Sequence, residues 1–366
     1  MPKKKPVNPV TALKTPKVKA LPKTLPWAGW SPMKDGVSQS LLQKFSGCID
    51  RYHKHAVLGL RETNRKEAME YGTLFHKLIE LGAALGPKYT RQALMRQMMD
   101  FIKGRYDSME SRMLARIAIA QYHVYKDWES LLPKYKYIAQ EPVFNEPFTL
   151  PPISFEPNED IRIRVPSGTV IPLRGRIDEV IENNGMWIQE NKTKSRIDIS
   201  HIQDTIHTNI QVMFYAVCSE LKYGRPCKGV IYNVIRKPGL RQKVAESDDD
   251  FIERIIEDCK KQPTHYFYRL SYEFKPGEVK KWVREELLPL LYKVYIWWRS
   301  ISANPTNPWV DQNGNVNPFH GRRSFGIYDS MTNGKGDFYD LIVYGRKSGL
   351  ETTLEMFPEL REETPE

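Results

Sequence analysis

The stretch RGRIDEVIENNGMWIQENKTKSR, residues 174–196, decides how this chain is read. Two apolar-alternating runs flank Asn183, Asn184 and Gly185, residue types that tolerate the positive φ of a tight reversal, so a β-hairpin is predicted. The first strand, around 174–181, carries Asp178; the second, 186–192, ends in Glu190, Asn191 and Lys192. Side chains alternate along a strand, so Glu190 and Lys192 share a face, and the hairpin brings Asp178 back beside them at one sheet edge. Two carboxylates and an ammonium placed this way suit a divalent cation and an activated water attacking a phosphodiester. The acid-x-Lys triplet alone carries little, because Glu220–Lys222, Asp258–Lys260, Glu273–Lys275 and Glu278–Lys280 repeat it. Only Glu190–Lys192 closes a predicted strand with an acid facing it.

Composition sets the frame for that hairpin. A chain of 366 residues, 40% apolar, can bury a sizeable core. The most apolar helical run, residues 287–298, contains Lys293 and is too short for the roughly 20 residues of a membrane span. No apolar leader follows the basic start, so secretion is not expected and a cytoplasmic location is. Cys48, Cys218, Cys227 and Cys259 show no CxxC spacing and read as buried reduced thiols. The net charge is +11, and residues 1–24 hold seven lysines without an acid, leaving +4 for the remainder. Such an excess favours an anionic partner.

Taken in order, residues 1–35 read as a basic, disordered arm and 36–303 as one domain. Ser38 is the predicted N-cap of a helix with Leu41, Leu42 and Phe45 on its apolar stripe. A longer helix from about residue 65 buries Leu74, Leu78 and Leu81 and sets His76 and Glu80 four apart on one side. Gly72 within it suggests a close approach by a neighbour. Residues 89–132 read as a two-helix insertion without chemistry of its own, its Met95, Met98 and Met99 packed in a core. Strands follow from residue 135, then a helix over 208–223 stopped by Gly224, a buried strand, a short helix, another strand and a long aromatic helix over 276–302. Asp248, Asp249 and Asp250 read as a solvated helix start, and 304–366 as a loop-rich extension packed on the same domain. The expected fold is α/β, with a core of helix, three strands, helix and strand around a mixed sheet.

Four segments in this order resemble the RecB-like exonuclease branch of the PD-(D/E)XK nucleases, in the form often found in phages. They are SQSLLQKFSGCIDRYH, GTLFHKLIE, the GRIDEV…IQENKTK hairpin and QVMFYAV. A fifth, YFYRLSYEF before an aromatic helix, is similar to the region beyond the core in phage members, and the likeness spans roughly residues 36–300. The usual Pro before the motif acid is replaced by Ile177. The resemblance implies a restriction-endonuclease-like fold and a metal-dependent DNA exonuclease in recombination, repair or genome processing. It makes Asp178 and Glu190 metal-binding carboxylates, joined by the Asn191 carbonyl and His76, with Mg²⁺ or Mn²⁺ as the ion. Lys192 would polarise the attacking water, Gln211 and Tyr215 would orient the DNA strand, and Glu80 would support His76 or ligate through water.

Some members of that branch hold an iron–sulfur cluster through one early Cys and three late ones. Cys48 stands at the early position, but no Cys occurs from Asn304 onward, where Ser324, Phe325 and Tyr328 fall, so no cluster is expected. A strand-annealing or single-strand-binding protein is the partner implied by analogy, and the oligomeric state stays open. An endonuclease acting on branched or foreign DNA, and a DNA-binding module that does not cut, are the alternatives the residues leave.

Overall fold

The computed structural model describes residues 30–62, 67–86, 89–103, 109–158, 161–302, 305, 307–310, 314–321 and the short segments 328–329, 334–335 and 350–352. The basic arm up to residue 29, and Ser324 and Phe325, lie outside them. The folded part begins before the expected boundary at residue 36. Trp30 is buried against Tyr52, with ring centroids 5.7 Å apart, and its carbonyl accepts the Trp298 indole N–H at 3.0 Å. An aromatic ring in a Pro- and Lys-rich context had read as arm; burial against two distant rings makes it core.

Helix α1 (Gln39–Gly47) is capped by the Ser38 hydroxyl, which accepts the Leu41 N–H. Helix α2 (Glu67–Leu85) carries Leu74 and Leu78 inward. Helices α3 (Arg91–Ile102) and α4 (Met109–Ser130) follow. In α3 the inward face is Leu94, Met98 and Ile102, four apart, so Met95 and Met99 point to solvent rather than into a core. The two helices are no appendage: α4 packs with α2 and with α6 (Asp248–Lys261) in one buried cluster.

The expected single strand over 135–145 is two, β1 (Lys136–Gln140) and β2 (Val143–Thr149), and the run 170–182 also divides, into β3 (Val170–Arg176) and β4 (Glu179–Glu182). A hairpin over 153–158 and 161–165 lies between β2 and β3. After β4 come β5 (Met186–Lys194), α5 (Ile210–Tyr223), β6 (Cys227–Arg236), α6 and β7 (Phe267–Glu273). The principal sheet has the order β7-β6-β5-β4-β1, with β5 and β6 parallel and the other neighbours antiparallel. Helix α5 makes the crossover that a parallel pair requires. β2, β3 and the short strand Val37–Ser38 form a second sheet.

The long aromatic helix is continuous but not uniform. Glu278–Trp282 leads into a π turn, Val283–Leu287, and then α7 (Leu288–Ile301). Pro289 has no N–H to bond four residues back, and the widened turn before it absorbs the mismatch. Trp282, Tyr295 and Trp297 of this helix are buried in the core cluster shared with α1 and α5. The four cysteines are buried free thiols. Among the described residues no helix is long and apolar enough to cross a membrane.

Candidate active site

The hairpin forms as its turn residues demand. Asn184 and Gly185 take φ of 50° and 131°, and Glu182 pairs with Met186 across them. Val180 lies opposite Ile188, so by the same register Asp178 faces Glu190 on one side of the sheet. One expectation about placement is corrected: Asp178 is not on a strand; it occupies the break where the chain leaves β3 in one sheet for β4 in the other. Glu190, Asn191 and Lys192 run past the end of β4, whose pairing with β5 stops at Glu179 opposite Gln189, and keep β6 beside them. The break is tertiary in origin: the Ile177 N–H donates to the Pro142 carbonyl, and the Asp178 carbonyl accepts the Glu141 N–H at 2.8 Å.

Around that break the sequence-predicted groups meet. Asp178 Oδ2 accepts the Asn191 backbone N–H at 2.6 Å, and its Oδ1 faces His76 Nδ1 at 3.5 Å. Glu190, only 1% exposed, takes Lys192 Nζ at 3.0 Å and the Gln211 amide at 3.0 Å, both on Oε2. Its Oε1 is buried without a hydrogen-bond partner. Tyr215 is buried one turn beyond Gln211, its ring edge-on to Phe144. The Glu80 carboxylate is taken by Lys77, three residues earlier, at 2.6 Å, and its charge is felt at Glu141.

Electrostatics follows from this crowding. Burial raises the Glu190 carboxyl, Lys192 opposes it and Asp178 adds like-charge pressure, so its pKa stands at about 7. Burial would raise Asp178 as well, but His76 and then Lys192 override it and its pKa is lowered. His76 is pressed toward neutrality by burial, yet the Asp178 charge wins and its pKa lies above the ordinary value. Lys192 is likewise disfavoured by burial and held charged by Glu190 and Asp178.

Glu141 is the group that sequence reasoning missed. It has φ of 47° although it is not glycine, a strained position of the kind that gathers at functional sites. Its carboxylate lies 3.8 Å from Arg176, and burial followed by the Asp178 charge pushes its pKa up to about 8. The available signal was an acid before Pro142 inside a strand pattern, where a break is more natural than continuation. A second omission is a polar chain behind Asn191. Asn191 Oδ1 accepts from Asn233 at 2.8 Å, Asn233 Oδ1 accepts from Arg269 at 2.6 Å, and Arg269 pairs with Glu129 at 3.6 Å. It fixes the residue whose N–H holds Asp178.

Gly72 explains how α2 reaches the site. A Cβ there would lie 3.0 Å from Thr193 Oγ1 on β5, so the bare backbone lets the helix lie on the motif strand and deliver His76 one turn later. Gly72→Val is expected to lift α2 from β5, costing about 1–3 kcal/mol by overpacking and a larger share of activity, as thermal melts and cleavage assays would read. Unchanged cleavage in that variant would show that His76 needs no such approach.

Among the described residues no three His, Cys, Asp or Glu side chains form a ready metal cluster, since the acids are engaged with Lys192, His76 and amides. The residues nonetheless fit a divalent cation. Two facing carboxylates and a buried, unpartnered Glu190 oxygen are costly without a positive charge between them. A search of curated proteins finds no match to this chain. A family model described as the PD-(D/E)XK nuclease superfamily matches residues 36–279, spanning the hairpin, α2 and α5. The chain therefore belongs to the PD-(D/E)XK nuclease superfamily.

Proposed function

We propose that this nuclease is a Mg²⁺- or Mn²⁺-dependent deoxyribonuclease that degrades DNA from ends, in recombination, repair or genome processing of the phage type. The observation that carries the metal-dependent reading is the Glu190 carboxylate, one oxygen fixed by Lys192 and Gln211 and the other buried without a hydrogen-bond partner, with the Asp178 charge acting on it. Preference for ends rests on the resemblance to RecB-like exonucleases.

Asp178, Glu190 and the Asn191 carbonyl would hold the cation, with His76 as a nitrogen donor. A bound Mg²⁺ or Mn²⁺ supplies charge neutralisation at the scissile phosphate and acidifies a water. The chain's own groups do the rest. The Asn191 N–H and the polar chain behind it keep Asp178 oriented, and Gln211 fixes the carboxylate plane of Glu190. Lys192, charged beside Glu190, orients the water and stabilises negative charge developing on the phosphate. Glu141 adds a carboxylate at the same opening.

Linear and covalently closed circular DNA, each incubated with Mg²⁺ and with Mn²⁺, test the proposal. Loss of linear DNA alone is expected. Nicking of circles would make the protein an endonuclease, and retardation without cutting would make it a binding module.

A further inference from the structure

A polar groove starts where Gln211 leaves Glu190. It encloses about 340 Å³ and is walled by Gln39, Gln43, Thr205, Thr208, Asn209 and Gln211, with Ile210 beside them. Among the described residues no charged side chain lines this section. Gln39 and Gln43 lie four apart on α1 and Ser46 three further, so they form one stripe opposite the buried Leu41, Leu42 and Phe45. Gln39 Oε1 is buried without a hydrogen-bond partner. Thr208 and Ile210 also line a wider groove of about 1070 Å³, which Ser46 joins, so the two adjoin. There the exposed His207 ring stands near Tyr272, with centroids 6.4 Å apart and planes tilted by 33°.

We propose that these adjoining grooves carry a single strand of DNA away from the scissile phosphate, with the α1 amide stripe facing its bases and sugars and the His207–Tyr272 pair stacking a base further out. The proposal rests on the nuclease reading of the site. Its core is the chemistry of the walls. A duplex shows a protein two rows of phosphates and calls for cationic walls, whereas the section next to Glu190 offers only amides and hydroxyls. Those groups can pair with base edges only where a strand is unpaired. The outer section is no phosphate clamp either. Lys275, Lys281 and Lys293 share it with Glu278, Glu285 and Glu286. Glu278 is tied to the Tyr272 hydroxyl and the Lys275 N–H, and Glu285 lies 3.9 Å from Lys281. Stacking, which tolerates any base, suits such a wall better.

The test uses the full chain in EDTA, so that binding is read without cutting, with fluorescent oligodeoxythymidines of increasing length and a blunt hairpin duplex. Affinity for the single strand should rise with length until the groove is filled. Gln43→Ala and His207→Ala change exposed side chains, so both variants should fold. Each should weaken single-strand binding about fivefold or more, while duplex affinity and the salt slope stay as they were. Failure of the unaltered protein to bind single strands overturns the proposal, as does unchanged affinity in both variants or an equal loss for the duplex. Cleavage of linear DNA with Mg²⁺ is scored separately. Groove-dependent binding without any cleavage sinks the nuclease reading and keeps the groove; cleavage with indifferent variants does the reverse.

Discussion

Lys192→Ala is expected to lower DNA cleavage by at least about a hundredfold, the loss typical when one charge-stabilising group is taken from a reaction centre. The reason lies in which role the ammonium can fill. Glu190 at 3.0 Å and the nearby Asp178 hold it protonated against the pull of burial, so it does not serve as a proton acceptor. Under the proposed function it would act as a fixed positive charge beside the phosphate. Removing it also strips Glu190 of its cationic partner, leaving a buried carboxylate with only the Gln211 amide, and the carboxyl should then be protonated more readily. Weaker metal binding, measured by calorimetry, should therefore accompany the lost rate, and both defects should deepen as pH falls. Lys192→Arg is not expected to rescue, because a guanidinium fork cannot occupy the place of a compact ammonium. Cleavage at the unaltered rate in Lys192→Ala would remove the residue from the chemistry.

The residues behind that expectation were legible to different degrees. Glu190 and Lys192 could be read because period two is a local rule, and Asn184–Gly185 announces its own turn. Asp178 was legible by identity but not by position. The run 170–182 has no Gly or Pro between Arg176 and Glu182 to mark a break, and tertiary contacts set it. A Cβ at Gly175 would meet the Phe144 ring at 2.7 Å and the Tyr215 ring at 3.1 Å, so β3 comes close to α5 just before the switch of sheets. Glu141 joins Asp178 through a backbone bond across 37 positions, and Asn233 and Arg269 reach Asn191 from still further along the chain. No window of sequence holds both ends of such contacts. The DNA-positioning role of Gln211 is what the resemblance implies, its helical spacing giving only a shared face with Tyr215; its bond to Glu190 gives it a hold on the carboxylate as well.

The same reach across the chain makes Asp50→Ala the substitution with the largest expected cost in stability. Asp50 is fully buried in the turn Ile49–Tyr52 and takes Lys54 at 2.5 Å. His320, from the far end of the described chain, places Nε2 at 3.6 Å from the same carboxylate, while its Nδ1 accepts the Trp297 indole N–H at 3.2 Å. That acceptance puts the ring proton on Nε2, facing Asp50. Breaking a buried charged cluster by removing one member costs about 3–5 kcal/mol, because the other members are left desolvated. Thermal unfolding should report a drop on the order of 10 °C. Replacing Asp50, Lys54 and His320 together by apolar residues of similar volume should recover most of it, and an unrecovered loss would mean that the cluster is not the source. The pH dependence carries a definite sign. Burial pushes His53, whose Nε2–H donates to the Pro305 carbonyl at 2.6 Å, down to about 4, and His123 likewise to about 4. Between about pH 6.5 and 4 the unfolded chain therefore binds more protons at these two positions, and their own contribution to stability should fall as pH drops through that window, with a slope of up to about 1.4 kcal/mol per unit for each, while Glu141, Glu179 and Glu190, whose carboxyls burial raises, contribute in the opposite sense. Burial alone would raise Asp50, but His320 and Lys54 hold it well below the usual carboxylate range. Its contribution is complete above about pH 4 and is lost only at lower pH. The stability difference between wild type and Asp50→Ala should thus hold steady down to about pH 4 and shrink only below it.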